Sequence, residues 1–160
     1  MPLLARHEGV WDGFYRYYNA DGDKTDEHKS RLLCRIKDDR DYHQTNLYRW
    51  QDGSRETRDF PAQVAESRLI FATDIDGWAA AVDLDEFSRT MMLHWTRVDE
   101  PDMYLYEMIQ ISDDGTARAR VWHWFKNDRL FQRTLVDERR VSTDWAAYDD
   151  IDPGYDDIAG

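Results

Sequence analysis

The sequence predicts an all-β protein: a single antiparallel up-and-down β-barrel of about 8–10 strands, with a short N-terminal lead-in and a short C-terminal helix or tail. Three observations carry this. Turn-forming clusters rich in Asp and Gly recur at intervals of roughly 10 to 15 residues. The segments between them alternate apolar and polar residues with a period of two, as strands do. No amphipathic helix pattern separates them, so parallel strands with helical crossovers are excluded. An open sandwich would need a Greek-key-length connection, and none is present; closure is the expected solution, because it removes sheet edges and can leave a ligand-sized lumen.

Residues 1–8 form a lead-in of about one helical turn. The first strand runs from Trp11 to Asn19 and ends at the turn Ala20-Asp21-Gly22-Asp23. The second spans Glu27 to Ile36, with His28, Ser30, Leu32, Cys34 and Ile36 on one face and Lys29, Arg31, Leu33 and Arg35 on a solvent face. Asp38-Asp39-Arg40-Asp41 turns the chain into a third strand, Tyr42 to Trp50. Gln51-Asp52-Gly53-Ser54 is a strong hairpin signal. A polar fourth strand runs to about Phe60, with Pro61 marking its end or an edge. Arg68 to Thr73, Trp78 to Asp85, Arg89 to Val98, Met103 to Ser112, Ala117 to Lys126 and Leu130 to Val141 supply six more. After Ser142-Thr143-Asp144, an N-cap pattern, a short helix is expected to Asp150, ended by Pro153-Gly154 and followed by a frayed acidic tail. Residues 1–143 are thus the barrel, and 144–160 an acidic segment that is not a separate domain.

Composition narrows function. The 160 residues carry a net charge of −12, and six acids with no Lys or Arg lie in the last 17 positions. With no basic face, nucleic acid is not an expected partner. A single cysteine, Cys34, excludes an internal disulfide. Residues 1–6 lack the apolar core of a signal peptide, and no run is long and apolar enough for a membrane span, so a cytoplasmic location is expected.

Gly9-Val10-Trp11 on the first strand, the short lead-in and a meander of this length resemble the calycin superfamily, the lipocalin-like and fatty-acid-binding-protein-like barrels. The resemblance is greater to the lipocalin-like proteins without signal peptides, a group that includes nitrobindin-like and phycobilin-lyase-like members. It implies structural roles for Gly9 and Trp11, with the tryptophan closing one barrel end beneath a late-strand arginine. Arg133 is the candidate partner, and Arg139 and Arg140 are the alternatives.

Seven Trp, nine Tyr and six Phe fit either a lumen lined by flat rings or an ordinary strand-rich core. On the first strand Trp11, Gly13, Tyr15 and Tyr17 share a face; Tyr15, Tyr17, His28, Tyr48, Trp50, Trp78, Tyr106 and Glu107 are the candidate ligand-binding set. Terminal arginines on the seventh and ninth strands place His94 and His123 inside, where either could move a proton. Glu107, on the apolar face of its strand, is either a lumenal carboxylate or the external partner of Arg118 or Arg120. No His-x-His pair or other dense ligand spacing occurs, so neither a metal nor another cofactor is expected.

Three functions follow. The first is binding of a small, largely apolar ligand, aromatic or terpenoid, in the lumen. The second is a cofactor-independent lyase, isomerase or hydratase using His123 or His94 with tyrosine hydroxyls. The third, implied by the resemblance, is haem or bilin binding with one histidine as axial ligand. A homodimer through external rings at Phe14, Tyr18 and Trp122 is a further expectation.

Overall fold

Alternation and turn chemistry give ten strands in sequence, and they close. In a computed structural model, which describes residues 2–38, 40–83 and 86–160, helix α1 (Pro2–Ala5) precedes β1 (Gly9–Asn19), β2 (Lys24–Lys37), β3 (Asp41–Arg49), β4 (Arg55–Ala65), β5 (Arg68–Ala72), β6 (Ile75–Ala81), β7 (Thr90–Arg97), β8 (Met103–Ile111), β9 (Ala117–Lys126) and β10 (Arg129–Ser142). Each strand pairs antiparallel with its sequence neighbours, and β10 pairs with β1 to complete the ring. Asp39, Leu84 and Asp85, part of the expected second turn and the expected sixth strand, lie outside the described residues.

Pro61 does not end β4, which continues to Ala65. The β4–β5 ladder covers only Gln63–Ala65, so the flank of β4 at Pro61 needs no donor toward β5.

The end where β1 begins is plugged. Leu3 and Leu4 of α1 are buried, and Trp11 Nε1 donates to His7 O at 3.0 Å. The Trp11 ring lies between two guanidinium groups, Arg118 at 4.4 Å and Arg140 at 4.6 Å from its centroid. Arg140, not Arg133, is thus the β10 arginine at this end. Arg133 lies seven residues back along β10, in register with Tyr18 near the opposite rim, and its odd-numbered position points outward. Gly9 sits at φ +122°, and a Cβ there would stand 2.5 Å from Ser142 O. Only glycine enters the sheet at that point without strain.

The acidic segment after β10 is not frayed. One 3₁₀ turn (Ala146–Tyr148) replaces the expected helix, and the chain then runs back across the outer face of β1–β3. Arg31 grips Asp12 with two hydrogen bonds (2.7 and 2.8 Å) and donates to Asp157 O at 2.9 Å. Arg35 pairs with Asp149, and Arg49 pairs with Asp152 while donating to Pro153 O at 2.7 Å. Ile158 is 1% exposed. The Lys/Arg face of β2 expected in solvent is therefore a buried seat for this strap, because its cations find carboxylates and carbonyls there. Among the described residues no helix is long and apolar enough to cross a membrane.

Candidate functional site in the barrel lumen

Strand parity decides what the lumen contains. On β9 the inward residues are Arg118, Arg120, Trp122 and Trp124, while His123 is exposed outside. On β7 the inward set is Met91, Leu93, Trp95 and Arg97, and His94 faces out. Both assignments reverse the expectation. An arginine goes outward only when nothing inside neutralises it, and here Glu138 on β10 pairs with Arg118 while Glu107 on β8 pairs with Arg120. All four side chains are buried. Arg120 Nη1 also donates to Tyr15 Oη at 2.9 Å.

The misplaced candidates share one external row. Trp78, His94, Tyr106, His123 and Arg133 are successive register partners across β6, β7, β8, β9 and β10. His94 stacks on Tyr106 there, centroids 4.7 Å apart, and its Nδ1 lies 2.9 Å from Leu105 O. Trp122, expected outside, is 8% exposed within the barrel. Phe14 is flanked by Arg16 and Lys29, beside Gly160.

The lumen holds a cavity of about 380 Å³ with two unlike walls. Strands β5–β8 present a mainly apolar wall, with Leu69, Phe71, Ile75, Ala79, Met91 and Leu93 among its residues. Strands β1–β3 and β9 present rings and hydrogen-bonding groups. Tyr17, His28, Tyr48 and Trp50 line this side, and buried Tyr15 stacks behind on His28 at 5.2 Å. Along β3, Tyr42 Oη donates to Gln44, Gln44 Nε2 to Asn46 and Asn46 Nδ2 to Tyr48 Oη, each at 2.7 Å. This ladder follows from the period of two: i, i+2 and i+4 share the lumenal face.

Several buried polar atoms make no hydrogen bond within the protein. They include both ring nitrogens of His28, Trp122 Nε1 and His7 Nε2, with His28 Nδ1 in a long contact of 3.6 Å to Asp26 Oδ2. Burial lowers the pKa of His28 despite Asp26 nearby, and lowers that of His7 further, with Arg118 adding to the effect. Both rings are neutral at pH 7. Burial raises the Tyr15, Tyr17 and Tyr48 hydroxyls, so they remain protonated donors. Asp26, Glu56, Arg58 and Arg97 form a charged rim on the open side.

Sequence reading missed His7, Arg118, Arg120, Trp122 and Trp124 as lumenal. Two acids of inward parity on the strands flanking β9, Glu107 and Glu138, were the available signal. Among the described residues no cluster of His, Cys, Asp and Glu is arranged to hold a metal.

No protein-family model matches the chain, and no curated protein matches it. Solved structures share its fold. A DUF3598-family protein of unknown function from Nostoc punctiforme is 17% identical (TM-score 0.69), the match covering 86% of this chain and 49% of that one; this chain spans about half its length. The S-type phycobiliprotein lyase CPES from Guillardia theta is 12% identical (TM-score 0.69), covering 89% and 93%. Rv2717c from M. tuberculosis is 12% identical (TM-score 0.64), covering 89% and 99%. At these identities the likeness is one of fold alone: the chain is a small, closed, antiparallel ten-strand barrel.

Proposed function

We propose that this is a calycin-type binding protein that holds a small, flat, largely apolar ligand in its lumen. The carrying observation is the cavity itself. Its volume of about 380 Å³ falls at the small end of the roughly 300–1,000 Å³ range of ligand sites. The aliphatic wall suits a hydrocarbon face, and the ring-lined wall suits stacking. Trp122 Nε1 and the neutral ring of His7 bring donors without protein acceptors, so the ligand carries a carbonyl or similar oxygen. The Gly-x-Trp of β1 beneath late-strand arginines supports the calycin assignment.

A second reading, haem or bilin binding, draws support from His28, a neutral lumenal imidazole whose Nε2 makes no hydrogen bond within the protein and whose Nδ1 lies 3.6 Å from Asp26. His28, which lines the lumen, would supply the axial imidazole to a haem iron. The cofactor-independent enzyme reading loses its two proton carriers, since His94 and His123 stand outside.

The test is titration with flat carbonyl-bearing aromatics and, separately, haemin. Saturable one-to-one quenching of tryptophan fluorescence is expected for the aromatics, lost in Ala79→Trp, which fills the cavity, with an unchanged circular dichroism spectrum. Absence of saturable binding, or binding indifferent to Ala79→Trp, overturns the reading. A Soret shift abolished by His28→Leu would favour haem.

A further inference from the structure

Among the described residues, every cation that lines the cavity is already matched by a carboxylate of the chain. Arg118 pairs with Glu138 and Arg120 with Glu107, all four buried. At the rim Arg58 Nε donates to Glu56 at 2.7 Å, and Arg97 Nε donates to Asp99 at 2.9 Å. Asp26 is left over; its contacts are Trp50 Nε1 at 3.0 Å and the long one to His28. Four cations thus stand against five carboxylates. His7 and His28 are neutral, and the ladder from Tyr42 to Tyr48 is built of amides and hydroxyls. Arg140 lies across the Trp11 ring from Arg118, outside the cavity lining.

Resting on the reading of the lumen as a ligand site, we infer that it selects uncharged ligands against their carboxylate analogues, and that Glu107 and Glu138 set this selectivity. Arginines in a cavity ordinarily recognise anions, because a guanidinium offers a carboxylate two parallel donors. Here the guanidinium charges are neutralised by the chain's own acids. An entering carboxylate would leave water, meet no free cation and face Glu107, which itself lines the cavity. An amide or ketone needs only hydrogen bonds, which the Tyr, Gln and Asn groups of β3 can supply without a change of charge. Removing one acid reverses the balance. In Glu107→Gln, Glu138 is shared by two arginines, and one positive charge becomes free for an anionic ligand.

Calorimetric titration of the full chain with matched planar pairs tests this: naphthamide against naphthoate, and the corresponding anthracene amide and carboxylate. The amides are expected to bind the unmodified chain, and the carboxylates to bind at least ~100-fold more weakly. Any carboxylate that does bind should enter as its neutral acid. Its affinity should then fall about tenfold per pH unit from about pH 6 to 8, while that of the amide stays level. Glu107→Gln should narrow the amide-to-carboxylate ratio at least ~10-fold, and the carboxylate should raise the melting temperature of that variant. Carboxylates that bind the unmodified chain as tightly as the amides, or with an affinity indifferent to pH, overturn the inference and leave the binding reading standing. An unchanged ratio in folded Glu107→Gln overturns the role of Glu107; if that variant does not fold, the pH dependence of the unmodified chain decides. Binding of neither class removes the binding reading itself, and the selectivity with it.

Discussion

Arg120 on β9 and Glu107 on β8 form an ion pair in the interior of the barrel, both buried, with the Tyr15 hydroxyl accepting a second hydrogen bond from the same guanidinium. The pair explains how a lumen with apolar walls tolerates charge. It also sets the orientation of β9, because two arginines that meet carboxylates inside have no reason to face water.

Glu107→Gln should destabilise the protein by about 2–4 kcal/mol, since it leaves Arg120 buried with only a 3.4 Å contact to Glu138 for its charge. Replacing both residues, as Glu107→Leu with Arg120→Met, should cost less than that single change. Urea unfolding of the three variants measures the difference; a double variant as unstable as the sum of its parts would contradict it.

Stability should fall as the solution is acidified below neutrality. His7 and His28 have native pKa values below the unfolded value of about 6.5. Once pH drops below that value the unfolded chain takes up protons that the native barrel refuses. Their contribution is therefore complete above about pH 6.5 and is lost toward the lower native values, at up to about 1.4 kcal/mol per pH unit per histidine. His7→Gln should flatten that slope in a series of chemical denaturations from pH 7 to 5.

The strap should contribute to stability rather than trail from the fold. Ile158→Ala removes a 1% exposed side chain and should cost about 2–4 kcal/mol. Arg49→Ala should release residues 150–154, visible as faster amide exchange there with the barrel strands still protected.

Gly13→Ala should be harmful for a steric reason. Its Cβ would stand 2.1 Å from Asp137 O and 2.8 Å from Glu138 Cγ. The added methyl collides with the β10 backbone and with the acid that neutralises Arg118. A lowered melting temperature is expected, by an amount corresponding to about 1–3 kcal/mol.

The strands themselves were legible because turn chemistry and alternation are local properties. Asp52-Gly53 and Asp114-Gly115 specify hairpins wherever they occur, and all ten expected strands overlap observed ones. Which face of each strand points inward was less legible. Alternation yields two sets of residues but no sign. On β1 the sign was evident, since Trp11, Tyr15 and Tyr17 oppose Asp12 and Arg16. On β9 it depends on Glu107 and Glu138, which lie 13 and 18 residues from Arg120 in sequence. The Lys/Arg face of β2 was misread for the same reason: its partners Asp149 and Asp157 lie more than 100 residues away. Charged residues were thus the poorest guides to topology in this chain, because each can be satisfied by a counterion the local pattern does not reveal.

The hydrogen bond from Ala159 N to Asp12 Oδ2, 147 residues apart, has a kinetic consequence. β1 acquires its second neighbour only when β10 is in place, and the Asp12–Arg31 corner is sealed only by residues 157–159. Closing loops of that span costs entropy before any contact repays it, so folding should be slow and concerted, with the earliest strand among the last to become secure.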